Sequence, residues 1–169
     1  MESEGIIEIE SDLEVEDYRR ALFWINKPIF LFITFIFVFA ISGTGFIAFR
    51  ENDVIALILF ALSIVFFILY IFSTLLSIKR QSKNLAENYE ITAIKFDEAG
   101  MESKTATTFI QMAWERFEKI RESNTDFLLY PQKNIFYPIP KRFFKSENQI
   151  KVFKQLLIDK LGAKAKLRD

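Results

Sequence analysis

Two charge-free apolar runs decide the fold: PIFLFITFIFVFAISGTGFIAF, Pro28 to Phe49, and VIALILFALSIVFFILYIFSTLLSI, Val54 to Ile78. They hold 22 and 25 residues, and only Arg50, Glu51, Asn52 and Asp53 separate them. About 20 apolar residues at a rise of about 1.5 Å each cross a hydrocarbon core, so both runs are long enough to span. So short a connection starts the second helix beside the end of the first, which predicts a tight antiparallel transmembrane hairpin over residues 28–78. A buried helical pair in a soluble protein is the competing reading. It fails on supply, because the rest of a chain of 169 residues is too polar and too short to wrap both helices on every side.

Charge is abundant but lies on the flanks of the hairpin. The 22 Lys+Arg balance the 22 Asp+Glu, yet residues 1–17 carry eight acids and no base, while residues 79–169 carry 18 bases against 12 acids. An acidic head facing a basic C-terminal part follows as an expectation. Arg19, Arg20 and Lys27 precede the first span and Lys79, Arg80 and Lys83 follow the second, whereas the tip has Arg50 alone. The positive-inside rule then puts both termini of a multi-pass membrane protein in the cytoplasm. The acidic start lacks the basic opening and small-residue cleavage site of a secretory signal.

Histidine and cysteine are both absent. That removes disulfides, thiolate ligands, cysteine nucleophiles and the commonest neutral-pH acid/base. No glycine-rich phosphate loop or strand-turn-helix nucleophile motif occurs. Paired acids such as Asp97 with Glu98, or Glu115 with Glu118, read as solvated surface charges. No catalytic residue, metal ligand or cofactor is expected, and the chain is not expected to be an enzyme. The uncharged spans also argue against an ion or proton pathway. Small residues Ala40, Thr44 and Ala48 recur in fours, with Ser42, Gly43 and Gly45 nearby, and permit close helix approach. The simplest partner is the second span, through Ala56, Ala61 and Ser63, and homo-oligomerisation stays open.

Outside the hairpin, residues 1–27 read as a short strand at Ile6, Ile7 and Ile9, then a helix started by the capping box Ser11-Asp12-Leu13-Glu14. Val15, Tyr18, Leu22 and Ile25 recur at helical intervals, with Trp24 among the bases, as in an interfacial helix feeding a span; packing on the later domain is the alternative. If the isoleucines form a strand, its natural place is an edge of the C-terminal sheet. Residues 79–88 read as a polar juxtamembrane linker. Over residues 89–162 the period shortens to two. Ile94 and Phe96 precede the acidic turn Asp97 to Gly100, Ile110, Met112 and Trp114 alternate next, and a turn or bulge follows. Glu118 to Ser123 alternates less well. Phe127 to Tyr130 forms a strand ended by Pro131, a turn at Gln132 to Asn134 follows, and Ile135 to Ile139 makes an edge or bulged strand because Pro138 lacks an N–H. Ser146-Glu147-Asn148-Gln149 caps a last helix whose stripe Ile150, Phe153, Leu157 and Leu161 covers the sheet, with Gly162 as its C-terminal stop. The tail 163–169 reads as basic and frayed.

The stretches IKFDEAG, IQMAW, EKIRES, DFLLYPQ and IPKRFFKSENQIKVFKQLL, in that order, resemble the C-terminal domain of the YcxB-like family of bacterial membrane proteins. The resemblance is best over Ile139 to Phe144 and the helix after it. It implies a pleckstrin-homology-like (PH-like) fold, a bent antiparallel sheet closed by a C-terminal helix, giving a membrane α+β class overall. It implies no reaction, and the fold alone is a weak guide to activity.

One cluster invites a functional reading. Lys141, Arg142 and Lys145 interleave with Phe143 and Phe144, a combination suited to anionic headgroups or to a protein partner. The bland reading makes Phe143 and Phe144, with Trp114, structural anchors and leaves the bases exposed. Acidic neighbours dilute any extended basic surface, so nucleic acid is not an expected partner. The expected function is a non-enzymatic interaction or regulatory module held at the cytoplasmic membrane face, in contact with lipid and with a protein partner. The alternative is a hairpin that assembles in the bilayer or inhibits another membrane protein.

Overall fold

The strand Ile7–Ser11 (β1) and the strand Thr92–Phe96 (β2) are antiparallel neighbours, although both apolar runs lie between them in sequence. This pairing organises the molecule, described here from a computed structural model that covers residues 6–51, 54–87, 90, 92–133 and 135–168. The described residues divide into two units, one holding residues up to Ala21 and from Leu85 onward, the other Leu22–Asn84. Asn52 and Asp53 of the expected connection, Asn88 of the expected linker, Tyr89 at the expected start of the sheet domain and Asn134 of the expected turn lie outside the described residues.

In the first unit, β1 alternates inward Ile7, Ile9 and Ser11 with outward Glu8 and Glu10, which is the period of a half-buried strand. Its register sets Ile9 opposite Ile94 and Glu8 opposite Lys95. The next strands, Gly100–Lys104 (β3) and Phe109–Ala113 (β4), complete a sheet of order β1-β2-β3-β4. Asp97 makes the β2–β3 turn, its carboxylate accepting the N–H of Ala99 at 2.9 Å and of Gly100 at 3.2 Å. Gly100 is required there because a Cβ would come within 2.1 Å of the Met112 carbonyl oxygen. A 3-10 turn over Trp114–Arg116 leads into the second sheet, which fits the turn expected at this place.

The second sheet contains Lys119–Glu122 (β5), Asp126–Gln132 (β6), Ile135–Pro140 (β7) and Ala165–Lys166 (β8), in the order β7-β6-β5-β8. Strand β6 does not stop at Pro131. It passes through, with a register shift between Leu129 and Gln132 where the proline has no N–H to give. Pro138 sits in β7, an edge strand, as its chemistry demands. The tail is not frayed: β8 pairs in parallel with β5, and the Arg168 N–H donates to the Glu122 carboxylate at 2.7 Å. The sheet unit is therefore two four-stranded sheets, the first antiparallel throughout and the second made mixed by the β5–β8 pairing, rather than one antiparallel sheet.

Between β7 and the last helix, Glu147–Leu161 (α3), lies a 3-10 turn over Lys141–Phe143. The Ser146 hydroxyl accepts the Gln149 N–H at 3.2 Å, and Gly162 ends the helix at φ 52° with its N–H on the Ile158 carbonyl. Phe153 and Leu157 of α3 are fully buried with Phe96, Trp114, Phe117, Ile120, Phe127, Leu129 and Ile139 in one core drawn from both sheets and the helix. Rings carry much of it: Phe153 meets Phe96 at 4.6 Å, Phe127 at 5.1 Å and Phe144 at 5.2 Å.

The capping box placed at Ser11 does not form, since Ser11 is the last residue of β1. The helix Val15–Glu51 (α1) starts later, with the Asp17 carboxylate accepting the Glu14 N–H at 2.9 Å. Within its first turns Tyr18 and Ala21 are buried, whereas Val15 points outward.

In the second unit, α1 continues past Pro28 without a break, and Val54–Glu87 forms α2. The residues turned toward the partner helix follow spacings of four and three: Phe30, Thr34, Phe37, Ile41, Thr44 and Ala48 on α1, and Ala56, Phe60, Ser63, Phe67, Tyr70 and Thr74 on α2. That is the seam of a left-handed helix pair. Phe30 and Phe37 stack on Tyr70 at 6.0 and 5.6 Å, and Gly45 lets the Phe60 ring approach to within 3.0 Å of where a Cβ would be. The close contact thus uses Gly45, Ala48 and Ala56, while Ala40 and Gly43 of the expected stripe face outward. Only 6% of the most apolar 18 residues of each helix is buried against protein, so these are not core helices of a soluble fold. Both are long and apolar enough to cross a membrane.

Candidate functional site

The strand β5 carries the seed of the site. Period two places Glu122 on the same inward face as Ile120, and a carboxylate there must find cations or remain neutral. It finds three donors: Lys141 Nζ at 2.6 Å, Lys154 Nζ at 3.0 Å and the Arg168 N–H at 2.7 Å. Burial pushes the Glu122 carboxyl up, but the hydrogen bonds from Lys141, Arg168 and Lys154 outweigh it and hold the group below its ordinary value of 4.5. The group therefore stays ionised and keeps both lysines in place.

A second buried acid, Asp17, does the same for arginines. Arg142 Nη2 donates to Asp17 Oδ2 at 2.6 Å and to the Asp12 carbonyl at 3.1 Å, while Arg20 pairs with Asp17 Oδ1. The hydrogen bond to Asp17 holds the Arg142 guanidinium above its ordinary value, so its charge is permanent. Arg20 also stands 3.9 Å from Asp126 Oδ1, and among the described residues Arg20 Nε and Asp126 Oδ1 have no hydrogen-bond partner. Asp126 Oδ2 takes hydroxyls from Thr125 at 2.6 Å and Ser123 at 3.2 Å. The acidic head does meet the basic C-terminal part at Arg142, through the Asp17 carboxylate, with the Asp12 backbone carbonyl beside it.

These groups surround a cleft of about 770 Å³. Arg20 comes from α1, Lys141 and Arg142 from the turn after β7, Lys151 and Lys154 from the first turns of α3, and Arg168 from the residues after β8. Glu122 and Glu147 are the acids in the lining, and Pro140 and Ile150 supply its apolar surface.

Of the residues picked out from the sequence, Lys141 and Arg142 line this cleft and Lys145 does not. Lys145 is exposed, and its backbone N–H donates to Gln149 Oε1 at 2.7 Å. Phe144 is buried against Phe127 and Phe153, Phe143 packs on the core under the Arg142 guanidinium at 4.6 Å, and Trp114 Nε1 donates to the Asp97 carbonyl at 2.9 Å. Sequence reasoning missed Arg20, Lys154 and Arg168 as members of the cluster, and Asp17, Glu122 and Asp126 as its buried counter-charges. An acid at an inward strand position was the available signal for Glu122. Nothing local marks Arg168, which arrives by the pairing of β8. Among the described residues no group of acids is arranged to hold a metal ion.

No curated protein and no solved structure matches the chain. A family model does: residues 96–157, from the end of β2 into α3, match the family described as YcxB-like protein.

Proposed function

We propose that the protein is a membrane-anchored interaction module: a PH-like sheet unit held at the cytoplasmic face of the inner membrane by its own two-helix hairpin, acting by binding rather than by catalysis. The pairing of β1 with β2 carries this reading. The hairpin is inserted between two adjacent strands of one folded unit, so both of its ends must return to the side on which that unit folds. Two spans satisfy that condition and one would not. The bases at Arg19, Arg20 and Lys27, and at Lys79, Arg80 and Lys83, favour the cytoplasm as that side. Two sheets with a C-terminal helix packed on their common core support the PH-like description, and such scaffolds serve binding through their surface loops and turns.

The test uses the absence of cysteine from the chain. Single variants Ser3→Cys and Asn52→Cys in intact cells are treated with a membrane-impermeant thiol reagent. Labelling of Asn52→Cys alone is the expected outcome; labelling of Ser3→Cys without disruption of the cells contradicts the reading.

A further inference from the structure

We propose that the cleft between the turn after β7, the start of α3 and the first turns of α1 binds a small, phosphate-bearing polar anion of headgroup size. This deepens the reading of the sheet unit as a binding module and rests on it. Among the described residues six cations, Arg20, Lys141, Arg142, Lys151, Lys154 and Arg168, line the cleft against two carboxylates, Glu122 and Glu147. Three of the six are guanidiniums, whose forked donors match phosphate oxygens.

The acids preorganise the cations. Glu122 is almost wholly buried and already fixes Lys141 and Lys154, and Asp17, equally buried, fixes Arg142 and Arg20. An entering anion therefore meets side chains whose rotamers are already set, which lowers the entropy cost of binding. The Lys151 side chain has no hydrogen bond or ion pair among the described residues and is exposed, so it supplies a charge available to a ligand.

The lining also limits the class. A volume of about 770 Å³ lies within the roughly 300–1,000 Å³ of small-molecule sites, and exceeds what a bare phosphate needs. Among the described residues no aromatic side chain lines the cleft, so a nucleobase would find nothing there to stack on. Of the same residues Pro140 and Ile150 alone are apolar, which leaves no pockets for the side chains of a peptide. A phosphorylated polyol or lipid headgroup meets all three conditions.

The full chain in non-ionic detergent is titrated calorimetrically with pyrophosphate, with chloride at matched ionic strength as reference. Saturable binding to the natural chain is expected, weakened on the order of tenfold or more by Lys151→Gln with Arg168→Gln and unchanged by Lys145→Gln, which lies outside the cleft. Lys151→Gln alone, which breaks no contact, serves as the fold-neutral variant and is expected to weaken binding several-fold. No saturable binding, or equal affinity in all four proteins, overturns the proposal. Repeating the titration in nanodiscs of phosphatidylcholine and of phosphatidylglycerol separates the sources: competition by the anionic bilayer identifies a lipid headgroup, and equal binding in both a soluble phosphate compound. Because the binding measurement is independent of sidedness, its failure and that of the thiol-labelling test are distinguishable.

Discussion

Glu122 governs three backbone or side-chain partners from three places in the chain, so its loss should be felt beyond one contact. Glu122→Gln leaves Lys141 and Lys154 facing each other without a counter-charge. Breaking a buried ion pair costs roughly 3–5 kcal/mol, and because both lysines remain a quarter exposed the expected loss is smaller, about 2 kcal/mol. The pH dependence has a definite sign. A carboxyl held below its ordinary value of 4.5 contributes its full stabilisation above that pH, and the contribution fades as the pH falls through the lowered pKa. Thermal melts of the full chain in detergent between pH 7 and pH 3 should therefore steepen in their decline below about 4.5, and Glu122→Gln should show a shallower decline. Parallel curves for the two proteins would show that Glu122 titrates normally. At this scale the sequence was legible in part. Burial of Trp114 and Phe144 follows from their size and from the apolar alternation around them. The partners of Glu122 do not follow, because Lys141, Lys154 and Arg168 are set by tertiary packing that no local pattern encodes.

Strand and helix patterns explain which elements could be read beforehand. Strand β2 with its acidic turn, β6, β7 and the capped α3 each show a period or a cap strong enough to stand alone. Strand β3, GMESK, was not foreseen, since Met101 is the one large apolar side chain in it. Its place comes from hydrogen bonding to β2 and β4 on either side. The last strand, β8, escaped for a similar reason: it is a two-residue backbone pairing next to a polar tail, with Leu167 packed on the core behind it. Ending the chain at Lys164 should accordingly matter. It exposes the edge of β5, removes the Arg168 N–H from Glu122 and uncovers part of the core. A loss on the order of 1–2 kcal/mol, or roughly 4–15 °C in Tm, is expected by thermal melts of the truncated and full chains. Equal melting temperatures would mean that the tail is dispensable.

For the whole molecule, composition revealed the hairpin and hid its relation to the rest. Two charge-free runs of spanning length are unmistakable, and the helices α1 and α2 form where those runs lie. The insertion of the hairpin into one sheet unit was readable only as a hint, in three isoleucines alternating with glutamates near the start. The capping box at Ser11 misleads because the same residue is worth more as the inward end of β1 opposite Thr92. Paired strands flanking the hairpin give the molecule its logic: the N-terminal strand completes the sheet whose remaining strands follow α2. A cysteine pair across that pairing examines it directly. Glu8 and Lys95 stand opposite each other in register, and directly opposed residues of antiparallel strands fall within the Cα separations that a disulfide spans. In the full chain with Glu8→Cys and Lys95→Cys, oxidised in native membranes, peptide mapping by mass spectrometry should find the two cysteines joined within one chain. Free thiols throughout, or a bridge found only between two chains, would contradict the account.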